Sequence, residues 1–157
     1  MTFADYIENL ARTHKMVHHS DEDPHYTDLA DDAQNLIAHN MGFPCIVLDD
    51  GDFDVVGTEG QPELANSATI MVLDHVTDVA DAAEVREAFA TTKKITVDML
   101  KRFVRDKRSG MRLLAKFSIV GSGGARIFLK DAAMYGYAIT FIRNEGFNDL
   151  DCDNSWM

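Results

Sequence analysis

The spacing of apolar residues changes character three times along this 157-residue chain, and each change limits what it can build. Residues 3–18 place Phe3, Ile7, Leu10, Ala11, His14 and Val17 or His18 on one face, which predicts an amphipathic helix. Thr2 is its expected N-cap, with Asp5 three positions on as a weakened capping box. The acidic SDEDPH segment closes it. A second helix is expected over 28–39 through Leu29, Ala33, Leu36 and Ile37, stopped by Asn40 and Gly42. At Pro44 the pattern turns extended. Asp50-Gly51, between the runs 44–49 and 53–56, carries the signal of a short hairpin turn. Residues 57–67 read as a loop and 68–76 as a strand. Helical spacing returns at Asp81 and holds to about Arg108, with Val85, Phe89, Thr92, Thr96, Met99 or Leu100, and Phe103 on one side. After Ser109-Gly110 come three expected strands, over 113–120, 125–130 and 137–143.

That order, α-α-β-β-β-α-β-β-β, predicts an α+β fold: an antiparallel or mixed sheet with a long helix and N-terminal helices packed on it. No repeat, low-complexity tract or linker divides the chain. One domain is expected: a helical segment over 3–40, an α+β core over 44–143 and a tail over 144–157. Hydrophobic residues at 46% and charged residues at 26% exclude a disordered chain and a coiled-coil rod. No apolar run approaches the roughly 20 residues that span a bilayer, so no membrane association is expected.

The formal net charge of -11 hides a strong asymmetry. Residues 1–83 carry 17 acidic against 2 basic residues, and residues 84–157 carry 13 basic against 9 acidic. The total argues against a reader of duplex DNA, which needs a positive surface to release counterions, and no sequence-specific nucleic-acid binding is expected. Lys93, Lys94, Lys101, Arg102, Arg105, Lys107, Arg108, Arg112 and Lys116 nevertheless crowd one stretch. Such a run fits a phosphate or acidic-partner patch, a solvated helix face, or a surface that pairs with the acidic residues of a neighbouring subunit.

Motifs that carry chemistry are sparse. Cys45 and Cys152 are too few for a metal knuckle, and the first residues lack the basic and apolar regions of a signal peptide. Both are read as reduced thiols, Cys45 in the core beside Ile46 and Val47, with a Cys45–Cys152 bridge as the lesser alternative. His14, His18, His19 and His25 interleave with Asp21, Glu22 and Asp23. His14 and His18 sit one helical turn apart, the spacing of two metal-ligating imidazoles, and Asp21 offers a third ligand. HExxH is absent, so ordinary helix-end histidines are the competing reading. Gly121-Ser-Gly-Gly124 runs into a β-favouring segment instead of a helix, which makes it a connection between strands and not a phosphate cradle. Asp49, Asp50, Asp52 and Asp54 echo a calcium loop without its distal Glu and read as a solvated hairpin tip. No nucleophile stands with a base, so neither an enzyme nor a cofactor is expected. Tyr137, Ile139, Phe141 and Arg143 alternate with Ala138, Thr140 and Ile142, both faces fairly apolar, as in a strand covered twice or paired with a neighbouring chain. Trp156 beside the terminus marks a tail docked on its own domain or on another subunit.

Several patterns together carry a resemblance. Ala11, His14, Lys15 and His18 form an A-x-x-H-K-x-x-H segment that leads to a helix and then to the strand Pro44-Cys-Ile-Val-Leu. An apolar strand ending in Asp74-His75, a long helix with a basic end, a Y-G-Y-x-I-x-F strand from Tyr135 to Phe141 and a tail closing on Trp156 follow. This layout resembles small virion proteins of tailed phages and prophages of Bacteroidetes. Its element order is similar to that of tail terminator and tail-completion proteins of long-tailed phages. The resemblance implies a non-enzymatic subunit of a homo-oligomeric ring, usually a hexamer, assembled in the host cytoplasm. In the virion such a ring caps the tail tube and contacts tail-tube and head-connector proteins. It also implies a sheet lining a channel, with the 81–108 helix outside. Lys101, Arg102, Arg105, Tyr137, Phe141 and Trp156 are the expected interface residues. The acidic first half and the histidines match no motif of that family. A small metal-dependent enzyme using His14 and His18, and an acidic monomeric binding or adaptor module, are the competing expectations.

Overall fold

Thr2 opens helix α1 (Phe3–Thr13) of the computed structural model, which describes residues 1–28, 40–115, 117–118 and 123–146. The capping box is complete: Asp5 N–H donates to Thr2 Oγ1 (3.1 Å) and Thr2 N–H to Asp5 Oδ2 (2.7 Å). The helix ends at Thr13, short of the expected 18. His14 is its extended C-cap, and the His14 ring Nδ1 accepts the Met16 N–H (3.2 Å), a local bond that competes with further helix. The expected helix over 28–39 lies outside the described residues.

Five strands form one sheet in the order β1-β2-β3-β5-β4: β1 (Tyr26–Thr27), β2 (Cys45–Thr58), β3 (Gln61–His75), β4 (Gly124–Leu129) and β5 (Met134–Gly146). β1 pairs with β2 in parallel and every other pairing is antiparallel, so the sheet is mixed. Helix α2 (Ala82–Arg108) starts where Asp81 accepts from the N–H groups of Ala83 and Glu84. The architecture is the expected α+β class.

Two strand expectations are corrected. β2 runs straight through Asp50-Gly51, where one extra residue is absorbed as a register shift between Asp49 and Asp52, and the chain reverses at Glu59-Gly60 instead. Gly57, at φ +94°, makes that reversal possible; a Cβ there would stand 2.5 Å from the Gln61 carbonyl oxygen. The expected loop over 57–67 is therefore mostly hairpin. The expected strand over 113–120 is a 3₁₀ turn (Arg112–Leu114) followed by one bridge between Phe117 and Arg143. Its buried residues, Leu114 and Phe117, lie three apart, which a strand of period two cannot bury on one face.

The main core fills the space between the two helices and one sheet face. Ile46 and Leu48 of β2, Ala68, Ile70 and Val72 of β3, and Ile139 and Phe141 of β5 meet Ile7 and Leu10 of α1 and Ile95, Met99 and Phe103 of α2. Aromatic rings join the layers: Phe103 lies 5.3 Å from Tyr6 and 5.1 Å from Phe141, and Phe3 stacks on Phe117 at 4.6 Å. Each such side chain, when wholly buried, contributes roughly 1.5–3 kcal/mol. On the other sheet face Cys45, Val47, Leu73, Ala132 and Met134 form a smaller cluster against Met41 and Phe43.

Candidate functional site

The histidine segment is drawn together by hydrogen bonds different from those its spacing suggests. With α1 ended at Thr13, His14 and His18 no longer share a helix face, and His18 is exposed at φ +55°. Among the described residues, the one group of three His, Cys, Asp or Glu ligand atoms close enough to hold an ion is Glu8, His19 and Asp21. His19 Nδ1 accepts the His25 N–H (3.0 Å), which leaves the neutral ring's proton on Nε2, facing Glu8 Oε1 at 3.5 Å. A cation at Nε2 would have to strip that proton from a ring whose other nitrogen is already an acceptor. Arg12 bridges the two carboxylates, donating to Glu8 Oε1 (2.6 Å) and to Asp21 Oδ1. The group is an ion-pair network that ties α1 to the following loop. Burial lowers the proton affinity of both His14 and His19.

A second polar group joins the helices. Asp106 of α2 is buried, accepts from Tyr6 Oη (2.9 Å) and from Arg102 Nε (2.7 Å), and has Arg105 Nε at 3.6 Å. Burial opposes its ionisation, but these hydrogen bonds and the two guanidinium charges prevail, and its carboxyl lies below its ordinary pKa. The same burial and the Asp106 charge push the Tyr6 hydroxyl up. Of the expected interface residues, Arg102 and Arg105 are thus partnered within the chain, and Lys101 pairs with Asp98 at 3.1 Å. Phe141 is fully buried in the chain's own core, and Tyr137 is nearly buried between Phe89 and Arg126. Trp156 lies outside the described residues, as do Gly121, Ser122 and Cys152. Cys45 is free and buried, its thiol pushed up to about 12 by desolvation and then by the Asp74 charge, which makes it a poor nucleophile.

An open concave surface lies between the first turns of α2 and the β4–β5 pair. A groove of about 470 Å³ is lined by Val79, Val85, Arg86, Phe89, Arg126 and Tyr135, among others. A smaller recess of about 200 Å³ adjoins it and shares Arg86, Phe89 and Arg126, adding Lys93 and Tyr137. The Phe89 ring is its floor, edge-on to Tyr135 (5.6 Å) and Tyr137 (6.0 Å). Arg126 holds its guanidinium 4.9 Å over the Phe89 ring and donates to Tyr137 Oη (3.3 Å). Phe128, 62% exposed, stacks beside Tyr135 at the rim. Among the described residues no carboxylate pairs with Arg86, Lys93 or Arg126, unlike Lys101, Arg102 and Arg105 further along α2.

Sequence reasoning placed Val85 and Phe89 on the core side of the helix and did not single out Arg86 or Arg126. Arg86 belongs to no run, and Arg126 reaches the groove only because β4 pairs with β5, setting Arg126 opposite Tyr137. At the far corner of the sheet stands the β2–β3 hairpin. Residues 49–63 hold six acidic and no basic residues, and Val55 and Val56 are 62% and 40% exposed. No helix among the described residues is long and apolar enough to cross a membrane. No protein-family model, curated protein or solved structure matches this chain.

Proposed function

We propose that this protein is a non-enzymatic assembly subunit whose copies join head to tail into a closed ring, in the manner of a phage tail terminator at the head–tail junction. The observation that carries the reading is that the sheet has two unlike open edges. β1 covers β2 only at Ile46 and Val47, so among the described residues the outer side of β2 from Leu48 onward has no strand partner. At the opposite edge β4 is the terminal strand, with Gly124, Ala125, Arg126 and Phe128 exposed. An exposed edge is a template for association, and two different edges on one chain suit heterologous contacts, which close into rings. The order of elements in the sequence supports the virion role. In that role the ring contacts tail-tube and head-connector proteins, and residence in the virion follows assembly in the host cytoplasm.

Mass photometry of the untagged protein tests the reading. At low salt a species of several subunits is expected, and high salt should shift it toward monomer because opposite charges face each other across the contacts. A monomer at every salt concentration overturns the proposal and returns the chain to the class of acidic binding modules.

A further inference from the structure

The groove and the hairpin complement each other in shape, polarity and charge, yet one chain cannot bring its own pair together. Pairing along β3 and β5 sets Glu63 opposite Gly146 and Val72 opposite Tyr137. The hairpin end and the groove are therefore nine residues apart along the strands, roughly 30 Å at the rise of a β-strand. They also lie at opposite edges of the sheet. The hairpin presents Val55 and Val56, two large apolar side chains left in solvent, with exposed Asp54, Glu59 and Glu63 around them. The groove presents an apolar floor of Val85 and Phe89, with Arg86, Lys93 and Arg126 around it, none of them ion-paired to a carboxylate among the described residues.

We infer that the β2–β3 hairpin of one copy seats in the α2–β4 groove of the next, Val56 covering Phe89 while Asp54, on the same strand face, and Glu59, in the turn, meet Arg86 and Arg126. This rests on the self-assembly reading and specifies its contact. The occupant is a second copy because the acidic, apolar-tipped element that fits is carried by the chain itself. Desolvating Val56 against an aromatic floor supplies the affinity. The ring of opposite charges fixes orientation and speeds encounter, and it opposes a groove-to-groove contact, where like charges would meet. Such a contact is heterologous: each copy offers one hairpin and one groove, so addition continues until the assembly closes.

A charge-exchange experiment tests it. One variant carries Arg86→Glu and Arg126→Glu, the other Asp54→Lys and Glu59→Lys; all four positions are exposed, and thermal melts verify that each variant folds. By mass photometry each variant alone should need a protein concentration about a hundredfold higher than the parent to assemble, or remain monomeric. An equimolar mixture should reassemble near the parent concentration, because the acidic groove of one variant now meets the basic hairpin of the other and the converse contact is equally matched. If the parent assembles and both variants assemble as it does, the hairpin–groove contact is wrong while the assembly reading stands. Two folded monomeric variants that fail to restore assembly when mixed also overturn the contact. A parent that is monomeric throughout overturns both.

Discussion

Tyr6 reports how much of this fold hangs on single polar contacts. Its ring is buried against Phe103, and its hydroxyl donates to Asp106, a buried carboxylate that ties α1 to α2. Tyr6→Phe keeps the ring and removes that donor from Asp106, which retains its bond from Arg102. The expected loss is about 1.5–3 kcal/mol, the range for a hydrogen bond to a charged group, measured as a lower midpoint in urea with an unchanged slope. Nothing in the sequence marked Asp106: an acidic residue four positions after an arginine reads as a surface ion pair on a helix. Burial became visible only once α1 lay across α2. His14 and His18 were noticed for the opposite reason, since their spacing is informative only if the helix continues, and a hydrogen bond from Met16 to the His14 ring ends that argument.

The helices could be read from spacing because their signals are local. Thr2 and Asp81 cap them, and the apolar stripe of α2 runs through Thr92, Thr96, Met99 and Phe103 as expected. The strands were harder, because strand ends are set by partners distant in sequence. Asp50-Gly51 has the composition of a turn, yet it sits inside β2. A 14-residue β2 pairs along most of the 15-residue β3, and that gain in cross-strand bonds outweighs a tighter turn. Gly136 shows the same non-local control. It faces Leu73 across the β3–β5 ladder, and a Cβ added there would stand 1.8 Å from the Val72 carbonyl oxygen. Gly136→Ala should force the two central strands apart and cost at least the upper end of the roughly 1–3 kcal/mol typical of overpacking, seen as a fall in melting temperature. The Y-G-Y pattern announced a strand; it did not announce that the glycine between the tyrosines lets two backbones approach.

Across the molecule, stability should decline on mild acidification. His14 is half-buried and faces Asp98, His18 and Lys94; His19 faces Arg12, Glu8 and Asp21. Both have folded pKa values below the ordinary 6.5, desolvation being the first cause. The unfolded chain therefore takes up protons first as pH falls through that value, so the stability these rings contribute is present above it and lost below. Asp106 adds to the loss at more acidic pH, since its lowered carboxyl must be protonated. Asp74 acts in the opposite sense, because burial has raised its pKa and protonation relieves it. Denaturant titrations at about pH 7 and about pH 5 should show the histidine loss before any carboxylate effect; equal stability at the two values would contradict it.

The asymmetry of charge was present in the sequence from the start, but its meaning was not. Counting residues located the acidic and basic halves, and alternation and capping located most elements, because those properties depend on neighbours within a few positions. The sequence also determined the α+β class, through the order in which helical and extended spacing alternate. The tertiary structure determined which charges remain available. Packing α1 on α2 buried the Asp106 carboxylate that Arg102 and Arg105 flank on their own helix, the β4–β5 pairing carried Arg126 to the side of Phe89, and the long β2–β3 ladder pushed Val55 and Val56 into solvent. Electrostatic partnership acts over a few ångströms in space, whatever the separation along the chain, so only the folded arrangement distinguishes a charge already satisfied from one presented outward.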